Sequence, residues 1–376
     1  MARQRNARLT SLRIAVIGAG TMGQIHAACY AADRAFTFIG CYNPTRAKAE
    51  ALVAEHGGRV FDDVQSLVTA ADVDAVCIAS PQAHHHAQVI ATAEAGKHIF
   101  CEKPVALTAK ELDDIDAAVA KAGITFMTGH QMRFHPVIVA VRQALKRLGR
   151  VYHLDMEWCF RIAGHEGRCW ETYRLGGFFM ELGCHAADLA CFLLGKPVHV
   201  SGHTLRIDPK RVTEDYTHAL LQFEDHAVAS LLVSANHRTK RQGLLIGRVI
   251  GEKGRIDFTV YPFSRSLNKA TLTIDHGREV FVPDVTVSNI AVKQGRSLTK
   301  VFPGFFDVYA QEAATFARAA RNGTTPPCTL ADGRNAIEIV LATYHQQGQA
   351  TKEKNFINRP KRYASDGDCH PLLGSR

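Results

Sequence analysis

The ten cysteines of this 376-residue chain include no C-x-x-C pair and no zinc-ligand spacing. Most of them, Cys41, Cys77 and Cys191 among them, sit inside apolar runs, where a thiol behaves as a small buried hydrophobe. That usage argues against a disulfide scaffold and a zinc module, and it makes a reducing compartment, the cytoplasm by default, the expected location. No apolar run long enough for a signal peptide or membrane span precedes Leu12, so neither is expected. Internal repeats are lacking too. The net charge of +9 is concentrated at the ends. Arg3, Arg5, Arg8 and Arg13 face no acid in the first 13 residues, and six basic residues face three acids from Lys352 onward. The ends thus hold +4 and +3 of the +9, which leaves +2 for everything between. The basic balance belongs mostly to the two ends, where tails are expected over 1–11 and 351–376, so neither a nucleic-acid partner nor a membrane surface is expected.

What remains is ordinary globular composition, 46% hydrophobic and 22% charged, at a length that suggests two domains. From Leu12 to about Arg133 strand-like and helix-like stretches alternate. Strand patterns at Leu12–Ile17, Phe36–Cys41, Ala75–Ala79, Ile99–Cys101 and Thr125–Gly129 are separated by helical ones, the signature of a doubly wound parallel sheet. After that the pattern changes to strands with short connections: Tyr152–Phe160, Val198–Ile207, Thr217–Phe223, Ala227–Ser234, Leu244–Gly251 and Thr271–Ile274. Helices are expected at Phe179–Leu194, Phe306–Arg321 and Ala331–Gly348. The expected fold is α/β: an N-terminal Rossmann domain over 12–133, then an α+β domain over 134–350 with a mostly antiparallel open sheet. The site is expected in the crevice between them.

Three motifs carry chemistry. The first strand runs into Gly18-Ala19-Gly20-Thr21-Met22-Gly23, a G-x-G-x-x-G turn that opens a small-residue helix. Gly18 permits the tight turn, Gly20 lets backbone approach a pyrophosphate, and Gly23 lets helix and strand pack closely. The helix start, with Thr21 and Met22, offers N–H groups to phosphates. At the second strand's tip an NAD site would place an acid for the ribose 2′-OH, but Asn43-Pro44-Thr45-Arg46 has none. Asn43, Thr45 and Arg46 can donate to a 2′-phosphate, so NADP(H) is favoured and NAD(H) remains possible.

The second motif is Glu102-Lys103-Pro104, at the carboxyl end of a strand, where Pro104 ends pairing and lets Lys103 face the crevice. The third is Gly176-Gly177 followed by a helix whose Glu181 and His185, at i and i+4, share one face. A carboxylate beside an imidazole suits proton transfer, with Glu181 orienting His185. A buried structural histidine and a metal pair are the competing readings; no metal is expected, because no third and fourth ligand present themselves. The run His84-His85-His86 is expected in a loop facing cofactor or solvent. Trp158, Arg161, His165, Trp170, Tyr173 and Arg174 combine aromatic faces with donors, as a polyhydroxylated ligand needs.

With these residues assembled, the chain resembles the Gfo/Idh/MocA oxidoreductases, from about Arg13 to about Gln349. The resemblance rests on the glycine turn, on Ala95-Gly96-Lys97-His98-Ile99-Phe100-Cys101-Glu102-Lys103-Pro104, and on Glu181-x-Gly183-x-His185. It implies a pyridine-nucleotide dehydrogenase or reductase acting on the CH–OH group of a sugar, cyclitol or related polyol. It implies cofactor contacts at Ser80, Pro81, His85, Glu102, Lys103 and Gln131, and a homodimer or homotetramer built on the open sheet. The family's helix carboxylate is usually Asp, where this chain has Glu181. The expected roles are His185 as base, Lys103 as the charge that positions and polarises the reacting oxygen, and Glu181 as partner of His185. A cofactor-sensing regulator and an NAD-dependent glycoside hydrolase share the fold and are the alternatives.

Overall fold

The structure, a computed structural model, describes residues 11–160, 176–236, 243–261, 268–274, 277–281, 293–294, 296–297 and 305–350. Six short strands form a parallel sheet: β1 (Leu12–Ile17), β2 (Phe36–Tyr42), β3 (Arg59–Val60), β4 (Ala75–Ile78), β5 (His98–Glu102) and β6 (Phe126–Gly129). Their order is β3-β2-β1-β4-β5-β6, so the chain reverses direction across the sheet between β1 and β4. In doubly wound sheets ligands bind at such a switch point, beyond the carboxyl ends of the strands. β4 and β6 are buried at every position, because helices cover both faces of the sheet.

Helix boundaries follow local chemistry. Thr108 caps the helix Ala109–Ala122 in a reciprocal pair with Glu111, and Gly123 ends it at φ +62. Pro136 begins the helix Pro136–Ala144 as the chain leaves the parallel sheet, with His135 as its N-cap.

The second sheet holds eight strands in the order β14-β13-β12-β11-β7-β10-β9-β8. They are β7 (Val151–Cys159), β8 (His199–Leu205), β9 (Tyr216–Gln222), β10 (Val228–Ser234), β11 (Leu244–Gly251), β12 (Gly254–Val260), β13 (Lys269–Ile274) and β14 (Gly277–Phe281). All neighbours are antiparallel except β7 and β10. β12 and β14 were not among the expected strands; β12 returns through the two-residue loop Glu252-Lys253, so its pattern merges with that of β11. The helices Cys184–Leu194 and Leu330–Ala350 pack together behind this sheet.

The helix Phe305–Asn322 crosses the boundary expected at residue 133. Its Val308, Tyr309, Ala313, Phe316 and Ala317 join Leu12, Ile14, Tyr30 and Phe100 in one core on the parallel sheet. Its hydrophobic stripe therefore serves the first domain, although the sequence places it with the second. No helix among the described residues is long and apolar enough to cross a membrane. The eight cysteines among them are all buried and unpaired.

Candidate active site

The glycine turn is built by close approach. Gly18 lies at φ +107, and a Cβ there would stand 2.7 Å from the Ala79 carbonyl oxygen. A Cβ on Gly23 would fall 1.8 Å from the Gly18 carbonyl oxygen, so that helix and strand can touch only through glycine. A Cβ on Gly20 would meet nothing within 4 Å. The open side of the loop therefore faces outward at the N-terminus of the helix Thr21–Ala32, with Thr21 exposed beside it, as a phosphate cradle requires. Met22 packs inward toward the Tyr309 hydroxyl.

Asn43 braces this loop. Its side-chain oxygen accepts from the Ala19 N–H at 3.0 Å, and its amide donates to the Thr45 carbonyl at 3.0 Å. Arg46 is exposed and bonded to Glu50 at 3.0 Å and Asp62 at 2.7 Å. The tip that lacks an acid in sequence thus has two acids brought to its arginine by the fold.

At the carboxyl edge of β4 and β5 a second set is locked in place. The buried His85 ring spans two carbonyl oxygens, of Pro104 at 2.8 Å and Ser80 at 2.9 Å, while Pro81 stays exposed. Burial, only partly offset by those carbonyls, holds its pKa below the ordinary value. A neutral ring donates to one of the two. His85 thereby ties the Ser80-Pro81 loop to the Glu-Lys-Pro turn. Glu102 is 4% exposed; it bonds the buried His26 at 2.7 Å and accepts from the Lys103 N–H at 3.2 Å. Burial works against its charge, but those partners hold its pKa below the usual carboxylate range. Gln131, just past β6, is buried with its side-chain oxygen unpartnered, an acceptor that a bound molecule can satisfy.

Lys103 crosses from this edge to the second half. Its ammonium donates to the Glu181 carboxylate at 2.8 Å and to the Glu181 carbonyl at 2.9 Å. Burial opposes the charge, but Glu181 overrides it, and Lys103 is held cationic well above the normal lysine range. His185 is 5% exposed and close enough to feel that charge. Burial first, then Lys103 and His130, push its pKa well below the ordinary value, so its ring is neutral. The expected pairing of Glu181 with His185 is corrected here: Glu181 turns to Lys103, and His185 Nδ1 is buried without a partner. Glu181 lies in a π-helical turn over Phe179–Gly183, and His185 in the α-helix that follows it.

The structure therefore gathers Lys103, Glu181 and His185 at one point, with Glu102, His85 and Gln131 beside it. Asn43, Thr45 and Arg46 lie at the neighbouring strand tip. Of the expected aromatic cluster, Trp158 is described: its indole N–H donates to the Gly243 carbonyl at 3.1 Å and its ring lies 5.7 Å from that of His185. Arg161, His165, Trp170, Tyr173 and Arg174 fall outside the described residues. Among the described residues no cluster of His, Cys, Asp and Glu could hold a metal ion. Sequence reasoning missed His130, whose ring is 5.7 Å from that of His185, and the Arg133–Asp188 pair at 2.6 Å beneath it. The available signals were the place of His130 directly after β6 and of Asp188 one helical turn after His185.

Comparison with known proteins decides the family. The family model described as "Oxidoreductase family, NAD-binding Rossmann fold" matches residues 12–130, and the "GFO/IDH/MocA C-terminal domain" matches 138–257. The chain belongs to the GFO/IDH/MocA oxidoreductases. An inositol 2-dehydrogenase of Rhizobium meliloti is 32% identical over 192 residues, 51% of this chain and 58% of that one. A scyllo-inositol 2-dehydrogenase (NAD(+)) of Bacillus subtilis is 26% identical over 342 residues, 88% of this chain and 92% of the other. An Agrobacterium radiobacter oxidoreductase solved with NAD+, L-tartaric acid and magnesium superposes with a TM-score of 0.78 at 18% identity, covering 91% of this chain and 97% of its own. That likeness establishes the fold. Within this GFO/IDH/MocA chain, the described glycine cradle and the unpartnered Gln131 oxygen fit a dinucleotide.

Proposed function

We propose that this GFO/IDH/MocA protein transfers a hydride between a nicotinamide nucleotide and a secondary alcohol or ketone of a sugar, cyclitol or related polyol. The observation that carries the reading is the juxtaposition of a fixed ammonium, Lys103, with a neutral imidazole, His185, at the carboxyl edge beside the glycine turn. The nucleotide, when bound, supplies the hydride acceptor or donor. The protein does the rest. Gly18, Gly20 and Gly23, with the helix start at Thr21 and Met22, receive the phosphates, and Ser80, Pro81, His85, Glu102 and Gln131 line the path to the crevice. Lys103 cannot serve as base, because Glu181 keeps it charged; it holds and polarises the reacting oxygen. His185 is free to accept the hydroxyl proton and to return it in the reverse direction. Glu181 acts through Lys103, as its anchor. The hydride donor or acceptor is seated on the Rossmann side of that oxygen, where Lys103 and the glycine turn lie, and His185 approaches from the other half.

NADP(H) is the favoured nucleotide, on the acid-free tip at Asn43-Pro44-Thr45-Arg46. The ion pairs of Arg46 with Glu50 and Asp62 are exposed, and such pairs exchange readily for a phosphate dianion. Arg161, His165, Trp170 and Tyr173 are proposed to contact the substrate, and the open face of the second sheet is proposed to join copies into a homodimer or homotetramer.

The test is a screen of NAD+ and NADP+ against cyclitols, hexoses, pentoses and glycosides, followed by nucleotide absorbance near 340 nm. Reduction with at least one polyol is expected. Tight nucleotide binding without turnover on any alcohol, or on the matching ketones with reduced nucleotide, overturns the reading. Titration of both nucleotides settles preference: NAD(H) binding tenfold tighter would sink the NADP(H) assignment. Arg46→Ala is expected to weaken NADP(H) by about tenfold and leave NAD(H) unchanged.

A further inference from the structure

With Glu181 committed to Lys103, the His185 ring is held by other groups. Trp158 lies on one side, its ring centroid 5.7 Å away at 47°. His130 lies on another, 5.7 Å away and nearly perpendicular at 81°. His130 directly follows β6, so it stands at the same strand edge as Lys103. It is 1% exposed. Its Nδ1 is buried without a hydrogen-bond partner, as is Nδ1 of His185. Buried ring nitrogens without a hydrogen-bond partner cost stability, and two of them on adjoining rings call for an explanation.

Behind His130 stands a fixed carboxylate. Asp188 Oδ2 is 4.0 Å from His130 Nδ1, and Asp188 accepts from Arg133 Nε at 3.0 Å and from a terminal nitrogen of the same guanidinium at 2.6 Å. Arg133 also reaches the Pro327 carbonyl at 2.9 Å and Asp332 at 3.1 Å, so the pair is anchored to the chain around the start of the helix Leu330–Ala350. The charges that face His130 are Asp188, Arg133, Lys103 and Glu102; those that face His185 are Lys103 and His130 itself. Asp188 favours a proton on His130, whereas nothing equivalent favours one on His185.

We propose that His130 is a positioning residue for His185: its ring holds the His185 ring edge to face, and the two imidazoles carry at most one proton between them, so a proton on either sets the charge of the other. The proposal rests on the reading of His185 as the base. It gives Asp188 a task beyond structure, because a proton that rests on His130 beside Asp188 keeps His185 free to accept one only after the crevice has discharged. No side chain of the family motif at 181 is needed for this.

The experiment follows the ring signals of His130 and His185 by NMR in the full chain with histidine carrying 13C at Cε1, across pH and with NADPH bound. Signals are assigned with His130→Phe, His130→Gln and His185→Phe. In the wild type each curve is expected to inflect where the other ring titrates. In His130→Phe and His130→Gln the His185 curve is expected to become single-site, with its midpoint raised by at least half a pH unit. His185 signals that titrate identically, or not at all, in wild type and both variants overturn the proposal. Should both variants lose NADPH binding, the wild-type curves decide: two independent single-site titrations overturn it. Turnover is not needed for this measurement, so a failed polyol screen would remove the role of His185 and leave the coupling to be judged on its own.

Discussion

The inner strands of the parallel sheet are buried on both faces, whereas those of the second sheet alternate, and the contrast says where a ligand can reach each sheet. β4 reads Ala75-Val76-Cys77-Ile78 with every residue buried, and helices close both sides. β11 buries every second residue and leaves Ile246 and Ile250 at 46% and 38% exposure. A sheet closed on both faces offers a ligand only its edge. There the Gly18–Gly23 turn, Ser80, Glu102-Lys103-Pro104 and Gln131 all gather. The second sheet contributes to that edge through one covered strand, β7 with Trp158, and through the helix behind it, with His185 and Asp188. Its other face is left to solvent.

The largest effect is expected where the two regions meet. Lys103→Ala and His185→Ala are each expected to cut turnover on the order of a hundredfold or more. With both proposed to act on one oxygen, the double variant should be little worse than the poorer single one. Nucleotide affinity is expected to survive His185→Ala, since that residue comes from the second region. Near-native turnover in His185→Ala would show that the base is elsewhere. Glu181→Gln sharpens the point. Without the carboxylate the Lys103 charge loses its main support, so the alkaline limb of kcat/KM is expected to move to lower pH. An unmoved limb would return Glu181 to a purely structural part.

The joint between the regions predicts an acid sensitivity. His135 caps the helix Pro136–Ala144 by accepting from the Val137 N–H at 3.3 Å, and burial lowers its pKa to about 4. The native state therefore keeps this ring neutral, while the unfolded chain takes a proton below about 6.5. Its contribution is intact above that value and is lost as pH falls toward about 4. By pH 5 the loss is about 2 kcal/mol. His135→Asn keeps a capping acceptor and removes the titration, so urea melts at pH 7.5 and pH 5 should differ less in the variant. Equal losses in both proteins would assign the sensitivity to other groups.

The first region was legible in sequence because its signals are local. Alternating strand and helix patterns, the glycine spacing and Glu102-Lys103-Pro104 each sit within a dozen residues and point the same way. The proposed catalytic residues were legible as identities and not as geometry. Glu181 and His185 are four apart, but Glu181 sits in a π-helical turn, which no spacing announces, and its carboxylate bonds Lys103, which arrives from the other half of the chain. One partner of Arg46, Glu50, is four residues on along the same helix, but the other was hidden for a different reason: Asp62 arrives from beyond the next helix and strand, by tertiary folding alone. The helix Phe305–Asn322 was recognised as a helix and given to the wrong neighbour, since an apolar stripe states that it will be buried and not against what.

A smaller effect tests whether the glycine cradle and the strand packing are separable. Gly20→Ala adds a methyl group where nothing stands within 4 Å, so folding should be unaffected while nucleotide affinity falls about tenfold. Gly23→Ala forces backbone apart and should lower Tm as well as affinity, since its Cβ would lie 1.8 Å from the Gly18 oxygen. Gly20→Ala with unchanged affinity would place the phosphates off this loop.

The smallest effect is expected on the uncovered face. One row across that sheet runs Leu220, Ser230, Asp155, Arg248, Asp257, Thr271 and Val280, each opposite the next. The row continues from Leu220 to Ser201 on β8; Leu220 and Val280 are 45% and 53% exposed, and Arg248 bonds Asp257 at 2.6 Å between them. A row with exposed apolar residues on either side of a paired, charged middle is what a second copy would meet if two chains stack sheet to sheet. Leu220→Lys and Ile246→Lys alter only solvent-facing atoms of the single chain, so its stability is expected to change by no more than about 0.5 kcal/mol. Nucleotide affinity, set at the other sheet's edge, should not move. Sedimentation velocity is expected to show the double variant at a lower mass than the wild type, because two like charges would then oppose each other across the interface. An unchanged mass, with wild type and variant equally oligomeric, would mean that copies pair through another surface and that this face stays in water.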